Sequence, residues 1–151
     1  MKISKLHIPE SKNTPEIDFN PDNGMLVFKG KSTPENATKI YEPVLDWLRL
    51  YARQPAEKTY LHFNLSYFNT ASSIWMARMV KVLSKIDDPE KLLTINLYFH
   101  VEEYDEMDDD DIQEAIAMAL KVINDATVSL GVKVYATDDG GSILKERLIL
   151  L

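Results

Sequence analysis

The stretch from Thr59 to Val80 constrains the fold most, because its periodicity changes once within it. Residues 60–68 alternate between apolar and polar side chains, as in a strand with one buried face. Directly after residues 69–73, apolar side chains recur at helical spacing, at Met76, Met79, Val80 and Leu83. A strand that passes into a helix here places a cluster of hydroxyl groups, Asn69-Thr70-Ala71-Ser72-Ser73, at the helix N-terminus.

The segments before this stretch predict a hairpin and a helix. Short extended pieces at residues 3–8 and 17–19 are followed by the turn sequence of residues 21–24 and a further strand at residues 25–29. Thr33 followed by Pro34 predicts a helix start, since proline at the first helical position costs no hydrogen bond. The apolar stripe of this first helix consists of Ile40, Val44, Trp47, Leu48 and Tyr51.

The segments after it predict a strand at residues 92–101, a third helix and a last strand at residues 132–136. The third helix is predicted from the apolar stripe Ile112, Ile116, Leu120 and Ile123. Single helices between strands favour parallel pairing, so we expect an α/β fold with a mixed β-sheet and an N-terminal hairpin. Because the strands alternate rather than being apolar throughout, we expect all three helices on one face of the sheet.

The length of 151 residues predicts a single domain, which we assign to residues 1–137. Residues 138–142, Asp-Asp-Gly-Gly-Ser, have the composition of a hinge and separate a C-terminal tail, residues 138–151. Its apolar part, residues 143–151, fits either a short amphipathic helix or an added strand.

Composition narrows the functional classes. The formal net charge of -7 argues against nucleic acid as a partner, since phosphate binding needs clustered Lys and Arg. The chain has no cysteine, which excludes disulfides, thiolate metal sites and cysteine nucleophiles. The N-terminus lacks the apolar region of a signal peptide, and no apolar run reaches the length of a membrane span. We therefore expect a cytoplasmic protein with no membrane partner.

An acidic run occupies residues 102–111, with eight carboxylates in ten positions. A calcium loop of the EF-hand type would need a glycine at its sharp turn, and none is present. We interpret these carboxylates as caps of the third helix, where they suit the helix dipole. The run is also a plausible docking surface for a basic partner.

No catalytic or cofactor motif is found, and the chain is expected to be neither an enzyme nor a metal or cofactor protein. The alternation places His62 and His100 on the polar face of the sheet, but no third metal ligand is specified. Glycine-rich phosphate loops and hydrolase motifs are absent from the sequence. Nucleophilic catalysis at Thr70 or Ser72 would need a nearby base, and none is indicated locally.

Several motifs together resemble the SiaC family of bacterial regulatory phosphoproteins. They are Leu6-His7-Ile8-Pro9 with Thr14-Pro15, Gly30-Lys31-Ser32-Thr33-Pro34-Glu35-Asn36, the aromatic helix around Tyr41 and Trp47-Leu48, and Tyr67-Phe68-Asn69-Thr70 with Ser72-Ser73. The resemblance implies a fold like that of the STAS-type anti-sigma factor antagonists. The sequence departs from it in two respects. Ala71 and Ile74 stand where relatives commonly carry Ser and Lys, and the strand Leu97-Tyr98-Phe99-His100 lacks the Trp often seen there.

The resemblance also implies a function. Thr70 is the implied phosphoacceptor, modified by a Ser/Thr protein kinase and restored by a PP2C-type phosphatase. The unmodified form would bind and regulate an output partner, a diguanylate cyclase or another output protein; with a cyclase it would control cyclic-di-GMP and biofilm formation. The residues predicted to contact partners are Tyr67, Asn69, Thr70, Ser72 and Ser73. The alternative is a constitutive adaptor that uses the acidic run or the open sheet face without phosphorylation.

Overall fold

The computed structural model describes residues 3–115, 117 and 126–150. In this part of the chain there are seven strands and four helices. In chain order they are β1 (Leu6–Ile8), β2 (Glu16–Asn20), β3 (Met25–Ser32), α1 (Ala37–Tyr51), β4 (Lys58–Phe68), α2 (Thr70–Leu83), β5 (Leu92–His100), α3 (Val101–Glu106), α4 (Asp109–Ala115), β6 (Ser129–Thr137) and β7 (Ile143–Leu150). None of the described helices is long and apolar enough to cross a membrane.

The strands form one mixed sheet in the order β1-β2-β3-β4-β5-β6-β7. The first three strands are antiparallel neighbours, β3 to β6 pair in parallel, and β7 returns antiparallel to β6. Gly24, with φ of 74°, closes the turn between β2 and β3, a conformation that suits glycine. The mixed sheet and the N-terminal hairpin predicted from the sequence are therefore confirmed.

The core lies between the helices and one face of this sheet. Alternate residues of the central strands are buried there, and the buried stripes of α1 and α2 belong to the same cluster. The central core residues are Leu61, Phe63, Leu93 and Ile95 from the sheet with Val44, Leu48, Met79 and Leu83 from the helices. Ile112 of α4 joins this cluster, which confirms the expectation of helices on one face. Ile116, Leu120 and Ile123 lie outside the described residues.

The first helix begins later than predicted. Thr33 does not cap it, because β3 extends to Ser32 and the Thr33 N–H donates to the carbonyl of Asn13 at 2.8 Å. The cap is Asn36, whose side-chain oxygen accepts from the Lys39 N–H at 3.2 Å. The prediction of a helix start at Thr33-Pro34 was wrong because an asparagine three residues on satisfies the first turn instead.

The acidic run is divided between two helices, α3 and the beginning of α4. α3 and α4 meet at Met107 and Asp108, where the chain leaves helical geometry. The Asp111 N–H donates to Asp108 Oδ1 at 2.8 Å, and the Asp108 N–H donates to Asp111 Oδ2 at 3.1 Å. This reciprocal pair confirms that carboxylates of the run cap a helix.

The C-terminal tail forms the added strand, one of the two alternatives predicted from the sequence. Strand β7 extends the sheet beyond β6. Its basic side chains reach the acidic helices: Lys145 Nζ lies 2.6 Å from Asp105 Oδ1, and Arg147 donates to Asp109 Oδ1 at 2.7 Å. Part of the acidic run is thus neutralised within the chain itself.

A β-bulge in β4 shapes the end of the strand that leads into α2. Leu65 lies opposite Gly30, and Tyr67 lies opposite Lys31, so Ser66 is an extra residue on β4. Gly30 adopts a φ of 125°, a backbone conformation that residues other than glycine rarely adopt. A bulge bends its strand and changes which side chains face each way. The bulge therefore helps to set the direction in which the side chains of residues 67–70 point.

Candidate functional site

The candidate site is the first turn of α2, which Asn69 caps. Asn69 is extended, with φ of -94° and ψ of 175°, and its Oδ1 accepts from the Ser72 N–H at 2.9 Å. The Ser73 N–H donates to the Asn69 carbonyl at 3.1 Å. The Asn69 N–H in turn donates to the Ser32 carbonyl at 3.1 Å. The cap therefore fixes the helix start and ties it to the end of β3.

A buried hydroxyl network stands behind this cap. The Ser72 hydroxyl lies 2.8 Å from Asn69 Oδ1, 2.9 Å from the Ser32 carbonyl and 2.6 Å from Ser32 Oγ. Ser32 Oγ also bonds the hydroxyl of Tyr41 on α1. Burial raises the pKa of Tyr41, and its hydrogen bonds to Ser32 and Ser72 act in the opposite direction. Three elements thus meet through side chains that stay neutral and paired.

Sequence reasoning did not assign Ser32 and Tyr41 to this site. Both lie far from Thr70 along the chain, and only the fold brings them together. One signal was present, because Tyr41 falls on the buried stripe of α1 and a buried tyrosine hydroxyl needs a hydrogen-bond partner.

Thr70 is the first residue of α2 and its side chain is exposed. Within the described part of the chain, its hydroxyl has no hydrogen-bond partner, and the N–H groups of Thr70 and Ala71 have no acceptor. Free N–H groups in a first turn, together with the positive end of the helix dipole, favour a negative charge at that point. The hydroxyl is therefore accessible, and the helix start accommodates a negative charge on it.

Exposed apolar side chains lie within four residues of Thr70 on either side in the sequence. Tyr67 is 60% exposed, Phe68 42% and Ile74 50%. Ile74 lies one turn after Thr70 on the same helix face. We call the set Tyr67, Phe68, Thr70, Ala71 and Ile74 the α2 surface. Exposed apolar side chains next to a polar group that can be modified are typical of a protein-binding surface.

The predicted contact residues divide by burial. Tyr67 and Thr70 are exposed, and Asn69 and Ser73 are half-buried. Ser72 is only 1% exposed, and its hydroxyl is used within the network. The prediction that Ser72 contacts a partner directly is therefore replaced: Ser72 positions Asn69 instead.

The two histidines on the helix-free face do not meet. His62 lies opposite Asn96, and His100 is four residues further along β5, roughly 13 Å away. His62 Nδ1 is 2.7 Å from the Tyr98 hydroxyl, whereas His100 Nε2 is 2.7 Å from Asp139 Oδ1. Burial lowers the pKa of His62. Burial, with a smaller effect of Tyr135, raises the pKa of Tyr98 to about 12. Among the described residues no group of side chains is arranged to hold a metal ion.

Comparison with known proteins decides the family. The family model described as "SiaC family regulatory phosphoprotein" matches residues 8–125. The chain belongs to the SiaC family. The matched range contains all of the candidate site, including Ser32, Tyr41 and residues 67–74, and ends before β6 and β7.

Solved structures of SiaC proteins have the same fold. Apo-SiaC from Pseudomonas aeruginosa is 23% identical and has a TM-score of 0.62, with 86% of this chain and 98% of that chain covered. A second structure of SiaC of Pseudomonas aeruginosa is 21% identical, with a TM-score of 0.64 and coverages of 88% and 100%. A third is the crystal structure of the diguanylate cyclase SiaD in complex with its activator SiaC from that organism. It is 21% identical, covers 86% of this chain and 99% of that chain, and has a TM-score of 0.63.

A relative by sequence is an uncharacterized protein of Pseudomonas aeruginosa strain UCBPP-PA14. It is 30% identical over 86 residues, which are 57% of this chain and 66% of that protein. The match therefore spans just under two thirds of the relative's length.

Proposed function

We propose that this chain is a phospho-switch protein whose phosphoacceptor is Thr70. A Ser/Thr protein kinase transfers the γ-phosphoryl group of ATP to Thr70 Oγ1, which loses its proton as ADP is released. A PP2C-type phosphatase hydrolyses the ester and restores the hydroxyl. The chain itself catalyses neither step and acts by binding.

The observation that carries the proposal is the state of the Thr70 hydroxyl. It is exposed, it has no partner among the described residues, and it stands at the start of a helix whose first N–H groups are free. The hydroxyls of Ser32 and Ser72, in contrast, are buried and bonded. Of these three groups, only Thr70 is open to a kinase without unfolding. Membership of a family of regulatory phosphoproteins supports the same residue.

The output step follows from electrostatics. Phosphorylation adds roughly -1.5 to -2 charges and three acceptor oxygens at Thr70. A partner that packs on the α2 surface would bury this charge, and burying it without a cation costs several kcal/mol. A micromolar complex is held by only about 8 kcal/mol. Phosphorylation therefore removes most of the binding free energy, while the unmodified form binds.

We propose a diguanylate cyclase as the output partner. The support is the solved complex of the diguanylate cyclase SiaD with its activator SiaC, whose fold this chain shares. In this role the chain would regulate cyclic-di-GMP synthesis and biofilm formation, with binding made through Tyr67, Asn69, Thr70 and Ser73.

The test is intact mass and peptide mapping after incubation with the cognate kinase and ATP. We expect one phosphate on Thr70, its removal by the phosphatase, and no modification of Thr70→Ala. Ser73→Ala is the matched control, since it removes a half-buried hydroxyl of the same turn and should leave phosphorylation unchanged. Modification at another residue, or none, would contradict the proposal and favour a constitutive adaptor.

A further inference from the structure

A groove opens in the sheet between β4 and β5. The two strands pair from Lys58 opposite Leu92 only as far as Phe63 opposite Leu97. Beyond that point β4 stays with β3 up to Phe68, and β5 stays with β6 up to His100. The bulge at Ser66 lies three residues beyond the last pair, in the part of β4 that has left β5. The resulting cavity has a volume of about 590 Å³, and we call it the β4–β5 groove.

The floor of the groove is apolar and incompletely covered. It is formed by Leu65, Met76, Val80, Leu97 and Phe99. Leu65, Leu97 and Phe99 are only half-buried although they face the core side of the sheet. Apolar side chains that stay partly in water at the edge of a core gain free energy when another apolar group covers them. The groove thus favours an apolar occupant.

One rim of the groove is acidic. Glu103, Asp138 and Asp139 line the β5 side, where Asp139 contacts His100, and Lys29 is the one lysine or arginine among the described lining residues. Within the described part of the chain Glu103 has no cation beside it, whereas Asp105 and Asp109 are paired with β7. This uncompensated charge attracts a Lys or Arg side chain.

The groove is continuous with the phosphorylation site. Phe68 lines it and is followed directly by Asn69 and Thr70. The structure thus places an apolar floor and an acidic rim beside the α2 surface. We propose that the β4–β5 groove receives an extended segment of the output partner, with alternate apolar side chains on the floor and Lys or Arg at the rim. The identity of the occupant as part of that partner rests on the proposed function.

An extended segment is favoured over a helix because both walls of the groove are strand edges. Among the described residues, the main-chain groups of β4 and β5 that face the groove have no ladder partner beyond Phe63 and Leu97. A strand added at such an edge pairs with these groups, and its alternate side chains supply specificity. A helix would leave them unpaired.

The test uses synthetic peptides and the unmodified full chain. The first peptide, about eight residues long to match a typical strand, alternates Leu with Lys and carries a proline at each end. The second replaces Lys by Glu, and the third rearranges the first to helical spacing. Binding is measured by fluorescence anisotropy and located by hydrogen exchange. We expect the first peptide to bind at least about tenfold more tightly than either other peptide, with protection at residues 64–68 and 97–100.

Two matched variants probe the rim. Glu103→Lys should raise the Kd of the first peptide several-fold, roughly the effect of reversing one partly screened charge. Glu102→Lys reverses the neighbouring charge, outside the groove lining, and should change binding by less than about twofold. Equal binding of the Lys and Glu peptides, stronger binding of the helical peptide, or protection elsewhere would overturn the inference. Because no kinase is used, these outcomes are independent of whether Thr70 is phosphorylated.

Discussion

Replacing Thr70 by Glu separates an effect on the fold from an effect on binding. The Thr70 hydroxyl has no partner among the described residues, so its removal breaks no hydrogen bond. The new carboxylate stands at the positive end of α2, near the free N–H groups of residues 70 and 71. A negative charge in this position stabilises a helix by about 0.3–1 kcal/mol. We therefore expect Thr70→Glu to be more stable than the neutral, equally long Thr70→Gln.

The same charge should have the opposite effect on the complex. A partner seated on the α2 surface has to remove the carboxylate from water, with the apolar side chains of Tyr67, Phe68 and Ile74 around it. A cost of about 3 kcal/mol raises Kd more than about 100-fold. Thr70→Gln buries no charge and should lose far less, and Thr70→Ala should bind as the unmodified protein does.

The two effects are measured separately. Urea denaturation, followed by the fluorescence of Trp47 and Trp75, gives the free energy of unfolding at low and high salt. Titration calorimetry with the cognate diguanylate cyclase gives Kd. If Thr70→Glu were less stable than Thr70→Gln by more than about 1 kcal/mol, the charge would act by disrupting α2. If it bound within about threefold of Thr70→Gln, the partner would not bury residue 70.

Three further predictions concern the structure around the site. Asn69→Ala should lower the free energy of unfolding by about 1 kcal/mol or slightly more, because it removes the cap of α2, and Asn69→Ser should recover most of it in urea denaturation. Gly30→Ala should cost about 1–3 kcal/mol in the same assay because of its positive φ, and the added Cβ would also displace the Glu10 carboxylate; Gly140→Ala, at a position without that conformation, should cost less. Since the pKa of Tyr98 is raised to about 12, its contribution to stability is complete below pH 10 and is lost as the pH rises toward 12. Tyr98→Phe should therefore flatten the decline of stability in that window, and an unchanged slope would contradict the assignment.

Periodicity predicted what depends on local pattern. The alternation in β4, the helical spacing after Asn69 and the turn before Met25 each reflect the burial of one face, so their elements were confirmed. The start of α1 was wrong by a few residues because Thr33 and Asn36 both suit a cap, and the length of β3 decides between them. That length depends on pairing with β4, which local sequence does not contain.

The features that matter most for the site depend on register. Ser66 is an ordinary residue in an alternating strand, and only the register leaves it without a partner, between Leu65 opposite Gly30 and Tyr67 opposite Lys31. The pairing of β4 with β5 ends at Phe63 and Leu97, although both strands remain apolar on one side. Ser32 and Ser72 likewise meet only in the folded chain, because they are 40 residues apart in sequence. Single-sequence patterns carry no information about such pairs.

The anchoring of α2 and the charge of a phosphate on Thr70 together explain how phosphorylation would prevent binding without changing the fold. The network of Ser32, Tyr41, Asn69 and Ser72 holds α2 from its buried side, and Thr70 lies on the opposite, exposed side. A phosphate there adds to the negative charge of the β5 rim, so at long range it would attract a basic partner segment rather than repel it. The loss of binding must therefore come from desolvation at contact, which salt screens little. It follows that high salt would not restore the complex of the phosphorylated form, whereas it would weaken the complex of the unmodified form.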